Sequence, residues 1–313
     1  MRLAGTVGLV VVGVLASAGA AKAGPLSASA IASGFGAVVF GNFSSTSDVE
    51  GPLVVGGNMS GPSHTFNNNP RSTPPAGFGA VTVYGNASGG TYNVNNGGNV
   101  YVGGTNTAHF NFNGGGSYLA SVPNTISDFA SVGPGPLGLS SVLQAMAATS
   151  TIDAHDNNNV QFNATPVDGI AVFDVTAAAL QGYAGFKVNL DGASTVVINV
   201  DASSTGGVVN LNNHFNNESS GRQNVIWNFY DATSVNFGTQ WGGLMLAPDA
   251  AVSNSTDIEG VLVAGSFDGR GELHDYAFLG TIPEPKAVPE PATLALLGLG
   301  LGTLGVLRRR RAA

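Results

Sequence analysis

The sequence predicts an all-β fold, a β-solenoid flanked by one helix, and three observations predict it. Glycine occurs 46 times and only 10% of residues are charged, against about 25% in an ordinary globular chain. That balance favours close-packed strands and tight turns over charged amphipathic helices. Short strand-like runs recur between glycine and asparagine breaks. Finally, SDVEGPLVVGG at 47–57 returns almost unchanged as TDIEGVLVAGS at 256–266.

From 78 to 119 the runs are VTVYG, TYNV, NVYVGG, HFNFNGGG and SYLA, each alternating β-formers with polar residues. No run is long enough to bury its own face, whereas stacked rungs cover one another and turn glycines take positive φ. A β-sandwich with tight hairpins is the alternative, since the same breaks would serve as hairpin loops. Asparagines at 67–69, 93–96, 157–159 and 210–217 suit side-chain ladders between rungs, and suit polar loops equally. LGLSSVLQAMAATS, 137–150, has helical spacing at Leu139, Val142, Leu143 and Met146, with Ser140 or Ser141 as N-cap. A short helical turn is expected within 175–183. The strongest strands follow, at 194–202, 224–232 and 242–252, then IEGVLVAGSF and GELHDYAFLG. A continuous apolar run such as VVINV implies burial on both faces.

The ends read as sorting signals. Residues 1–23 combine basic Arg2, an apolar run and small residues up to Ala23, which predicts export and cleavage by signal peptidase after Ala23. Residues 286–313 carry a Pro289-Glu290-Pro291 box, an apolar stretch from Ala292 to Leu307 and the cluster Arg308, Arg309, Arg310, Arg311. The stretch is marginal for a span, and the arginines would stay cytoplasmic. This tail resembles the PEP-CTERM sorting signal of Gram-negative bacteria. The resemblance implies transient insertion in the inner membrane, processing by an exosortase near the box, and release or transfer to the surface. The domain between would span 24–285. If the cut falls after the box, the mature chain keeps five basic residues (Arg71, Lys187, Arg222, Arg270, Lys286) against 19 acids, a net charge near −14, which argues against nucleic acid as a partner.

FGNFSSTSDVEGPLVVGGN, TVVINV, WNFYDAT and GGLMLAPDAAVSNSTDIEGVLVAGSFDGRGELHDYAF, in that order, resemble the choice-of-anchor A family of bacterial adhesive domains. The resemblance implies a structural or adhesive role at the cell surface or in the extracellular matrix, with exopolysaccharide or biofilm, or another surface protein, as partner. LAPDAAV followed by IEGVLVAG also resembles the closing rungs of ice-binding β-helices, which implies a right-handed parallel β-helix. Ice binding itself is a minor alternative, because no Thr-x-Thr column is sustained. On such a helix the repeated phrases would be equivalent rungs, Asp48, Glu50 and Gly51 matching Asp257, Glu259 and Gly260. A chain that starts mid-helix and returns at its end would set them side by side.

Catalytic signatures are absent: no nucleophile elbow, His-Glu-x-x-His, P-loop or dinucleotide fingerprint occurs. With no cysteine, thiolate metal sites are excluded. Glu272 and His274 share a strand face, which suits a turn lock better than a catalytic dyad. Asp257, Glu259 and Asp268 offer oxygens to Ca²⁺ without a recognised calcium loop. A β-helical polysaccharide lyase or glycan hydrolase is the rival class, and five basic residues are few for holding a polyuronate. Ligand contact is expected at exposed aromatics, Tyr92, Tyr101, Phe110 and Phe112.

Overall fold

The computed structural model describes residues 25–216 and 219–283. Its chain winds as a parallel β-helix of three faces, and the largest sheet, face A, holds the ten strands that organise the rest. In chain order these are β1 (Ala37–Val39), β2 (Leu53–Val55), β3 (Val81–Val83), β4 (Val100–Val102), β5 (Tyr118–Leu119), β6 (Ile170–Thr176), β7 (Thr195–Asp201), β8 (Val225–Tyr230), β9 (Trp241–Asn254) and β10 (Ile258–Gly269). In space the order is β5-β4-β3-β2-β1-β10-β9-β8-β7-β6. The chain therefore enters in the middle, climbs to one end, crosses to the other end and returns to its start.

Face B is formed by Phe43–Ser45 and Met59–Ser60, the second halves of β9 and β10, and Val208–Leu211 with Ser234–Phe237. Face C carries His64–Phe66, Thr91–Val94 and His109–Phe112 on one side, and Val160–Asn163, Gly185–Asn189 and His214–Phe215 on the other. The expected runs between 81 and 119 all form strands. Their short coils enclose one apolar interior, centred in the C-terminal half on Phe186, Phe215, Trp227 and Trp241, whose ring centroids lie 5.1–5.6 Å apart.

Face A is apolar on its outer side as well. Val38, Val54, Val197, Ile226, Leu246 and Val263 are buried beneath Ile31, Phe35, Phe129, Leu139, Leu143 and Phe278. This second layer explains why VVINV lacks alternation: Ile198 faces the interior and Val197 the covering helices. The cover begins with α1 (Ala28–Gly34), capped by Ser27 Oγ, which accepts from Ala30 N–H. It continues with α2 (Leu139–Gln144).

That helix is shorter than the 137–150 pattern implied, and its N-cap is Gly138 rather than Ser140 or Ser141. Ser140 is buried inside the helix and spends its hydroxyl on the sheet, donating to Asn228 Oδ1 at 2.6 Å. Asn228 donates back to Ser140 O and to Asn199 Oδ1, and Asn199 donates to Leu143 O. The helix ends at the C-cap Ala145, and further on the Thr149 and Ser150 N–H groups turn to Val172 O on β6. The second helical turn forms as α3 (Ala177–Gly182), capped by Thr176 Oγ1.

The repeated phrases occupy equivalent rungs of one sheet. Ala37 pairs with both Leu53 and Leu262, and Val38 with both Val54 and Val263. They are not adjacent, however, as the sequence suggested. One composite rung lies between them, built from the two ends of the domain: β1 on face A and strand Leu273–Asp275 on face C, where Leu273 bridges Ile258 and Val49. Adjacency failed because neither short segment carries the phrase and both pair into the gap.

Candidate binding face and acidic seam

Face B owes its regularity to a four-residue pattern. GNFS at 41–44, GNMS at 57–60, GNAS at 85–88 and the variant GTNT at 104–107 each place one residue inward and two small polar residues outward. Asn42 Oδ1 accepts from Asn58 N–H, Asn58 Oδ1 from Asn86 N–H, and Asn86 Oδ1 from Thr105 N–H, all at 2.8–2.9 Å. The glycine before each asparagine makes this ladder possible. A Cβ on Gly57 would lie 2.6 Å from Asn42 Oδ1, and one on Gly104 2.4 Å from Asn86 Oδ1.

The outward residues form columns at the rung spacing, about 4.8 Å. Ser44 is in register with Ser60 on one side and Asp268 on the other, and the column runs on through Ser253, Asn236 and Asn210. Over the N-terminal rungs it bounds a shallow groove of roughly 510 Å³ lined by Asn42, Asn58, Ser60, Asn86, Ser88, Thr105 and Thr107. No charged residue lines it. The GN-x-S spacing was the signal in the sequence that could have revealed this face.

The acidic seam lies on face C, where the composite rung closes. Glu259 is in register with His274, and the Val49–Leu273 bridge brings Glu50 to the other side of the same histidine. Ligand atoms of Glu50, Glu272 and His274 all lie within 4.8 Å of one another, and His274 Nε2 is 3.1 Å from Glu272 Oε2. Glu50 is held from both sides, accepting from Asp275 N–H and Asn69 Nδ2. Beneath it Asp275, 0% exposed, accepts from Arg71 N–H at 2.7 Å and from Ser72 N–H and Ser72 Oγ at 2.6 Å. The Arg71 guanidinium stacks 3.9 Å over the Tyr276 ring.

The three residues expected to offer oxygens to Ca²⁺ do not converge. Asp257 Oδ1 accepts from Glu272 N–H, and Glu259 is paired with Arg222 and Gln240. Asp268 stands exposed on face B. The set that does converge, Glu50, Glu272 and His274, is one imidazole with two carboxylates, which suits a borderline transition metal better than calcium.

Among the aromatic candidates, Tyr92 is a correction. It is 0% exposed, with its hydroxyl donating to Ser88 O and Gly61 O, and belongs to the core. Its strand alternates polar and apolar residues, and the side facing inward was not decidable from sequence. Tyr101 is half-buried on face A, its hydroxyl accepting from Asn99 Nδ2. Phe110 and Phe112 follow Tyr92 and Val94 in register, so they face the interior of the last rung and stay half-exposed.

His64 also faces inward, its Nδ1 on Pro62 O, its ring against Phe66 and Tyr92, and its buried Nε2 without a partner. Burial lowers its pKa below the ordinary 6.5, outweighing the Pro62 carbonyl and Asp48. An unfolded chain takes up a proton there that the folded chain resists. The contribution is thus intact above pH 6.5 and lost as pH falls through the lowered folded-state value. Urea midpoints measured from pH 7.5 to 5 should show a decline that His64→Phe reduces.

A parallel β-solenoid with a polar ladder face and a seam joining its two ends defines a rigid, repetitive scaffold of the kind used by surface-exposed binding domains. The chain belongs to the ice-binding-like adhesive family: the family model described as a putative ice-binding-like adhesive domain matches residues 28–275. The PEP-CTERM protein-sorting motif matches residues 287–311. No curated protein and no solved structure matches the chain. Together these matches make it an exported, exosortase-sorted protein of a Gram-negative bacterium, destined for the cell surface or extracellular space. Ala23, Pro289, Glu290, Pro291, the four arginines and the apolar stretch 292–307 lie outside the described residues. Among those described, no helix is long and apolar enough to cross a membrane.

Proposed function

We propose that the protein is a non-enzymatic matrix adhesin that binds a neutral polysaccharide along face B. The observation that carries this reading is the uncharged groove of stacked amides and hydroxyls over the N-terminal rungs. Such side chains offer donors and acceptors at one rung spacing without the charge that a polyuronate would demand. The seam supports no glycosidase reading, because Glu50 is buried and pinned by Asp275 N–H rather than free to flank a sugar.

In this reading signal peptidase cuts after Ala23 and an exosortase acts at Pro289–Pro291, so that the 24–285 domain works in exopolysaccharide or biofilm, as in choice-of-anchor A proteins. Tyr101 is a candidate for sugar stacking, and Phe110 and Phe112 belong to the end of the core. A glycan array with the full-length protein, with and without chelator, tests the proposal. Ser60→Trp combined with Ser88→Trp would fill the groove, and binding should fall at least tenfold while the thermal midpoint holds. Unchanged binding in the double variant, or release of reducing ends by the wild type, would overturn it.

A further inference from the structure

The two ends of the solenoid are finished differently. Beyond β6, α3 packs across the end with Ala177 and Leu180 buried, and Gln181 Oε1 accepts from Asn210 N–H. On face C the same end is closed by Thr151–Asp153, which runs antiparallel to Val160–Asn163. Around it Asp153, Asp156, Asp168 and Asp174 are all exposed.

At the other end nothing follows the last rung among the described residues. β5 terminates face A, and His109–Phe112 terminates its side of face C. Phe110 and Phe112 point inward like the buried Tyr92 and Val94 beneath them, yet are half-exposed because no further rung covers them. Tyr118 stacks on Phe110 at 6.3 Å and 13°, and Tyr118 and Leu119 are 37% and 36% exposed.

Monomeric proteins blunt such edges with charges, bulges or a covering segment. Here the capped end has both a cover and charges, and the open end has neither. Between Arg71 and Asp128 the sequence contains no Asp, Glu, Lys or Arg, so the rungs leading to the open end are neutral in a strongly acidic chain. Copies approaching through the acidic C-terminal half are repelled, whereas the neutral rungs carry no such penalty. Head-to-tail stacking would set an open edge against an end overlaid by α3 and by the antiparallel Thr151–Asp153, with exposed aspartates around it. Open end against open end, about a two-fold axis, is the arrangement that satisfies both edges, and it closes as a dimer instead of extending into a filament.

We infer that two copies of this chain join through their open ends, edge strand to edge strand, burying Phe110, Phe112, Tyr118 and Leu119. The inference is independent of the glycan reading, which concerns face B.

The natural chain has no cysteine, so single cysteines report contacts cleanly. Full-length protein in non-ionic detergent, carrying Ser117→Cys or Leu119→Cys at the open end, should form disulfide-linked dimers under mild oxidation. Ala178→Cys, exposed on α3, should remain several-fold less linked. Leu119→Arg should convert the dimer to monomer in sedimentation velocity with unchanged far-UV circular dichroism. Three results would each overturn the inference. One is a wild type that sediments as monomer at every concentration, and another is equal linkage through Ala178→Cys. The third is open-end cysteines shielded from maleimide in a monomer, which would mean that residues 284–313 or a glycan cover the end.

Discussion

Asp275→Ala is expected to lower stability by roughly 3–5 kcal/mol, read as a shifted urea midpoint. The estimate follows from three hydrogen bonds to one buried carboxylate, each worth about 1.5–3 kcal/mol with a charged acceptor and not strictly additive. Truncation leaves the Arg71 and Ser72 N–H groups without the acceptor they share. The Asp275 backbone N–H that fixes Glu50 survives the truncation, so the loss comes from the carboxylate's own contacts. Asp275→Asn should recover part of the loss, because an amide oxygen still accepts. An alanine variant as stable as wild type would show that the loop at 71–72 is held by something other than this carboxylate.

Gly260→Ala should cost a similar amount, although its cause is steric. Gly260 has φ +151°, and a Cβ there would sit 1.9 Å from Gly243 O, far inside van der Waals contact. Gly243 itself has φ +126° and cannot readily retreat, its own Cβ position lying 2.5 Å from Val225 O. Relief therefore requires β9 and β10 to separate where their pairing is longest. The equivalent glycine of the first phrase, Gly51, is required for another reason: its Cβ would lie 2.5 Å from Asp275 Cγ. Gly51→Ala combined with Asp275→Ala should thus cost less than the sum of the two, whereas Gly260→Ala and Asp275→Ala should come closer to adding. A double-mutant cycle distinguishes the cases.

Much of this was legible from the residues. The strand runs, the double burial of VVINV and the kinship of the two phrases all follow from period and composition. The composite rung was hidden because Ala37–Val39 and Leu273–Asp275 are three-residue strands with no phrase of their own, and their placement depends on which ends meet in space. Tyr92 and Tyr101 look alike in sequence, each in an alternating run, and only the direction of coiling puts one in the core. The acidic cluster followed the same rule. Asp257, Glu259 and Asp268 are near in sequence, but β10 turns a corner between them, whereas Glu50 and His274 are distant in sequence and one strand apart in the fold.

The described chain leaves the fold beside β7, where Thr195 Oγ1 donates to Thr281 O at 2.8 Å. In the strand order β7 and β5 are separated by eight spacings, about 40 Å at the usual inter-strand distance. The described chain thus exits near one tip, with the neutral tip at the opposite extreme, so in a protein held through its C-terminal tail the domain would act as a built-in spacer. Adding or deleting whole rungs between Leu53 and Leu119 would change that reach in steps of one strand without touching the exit beside β7.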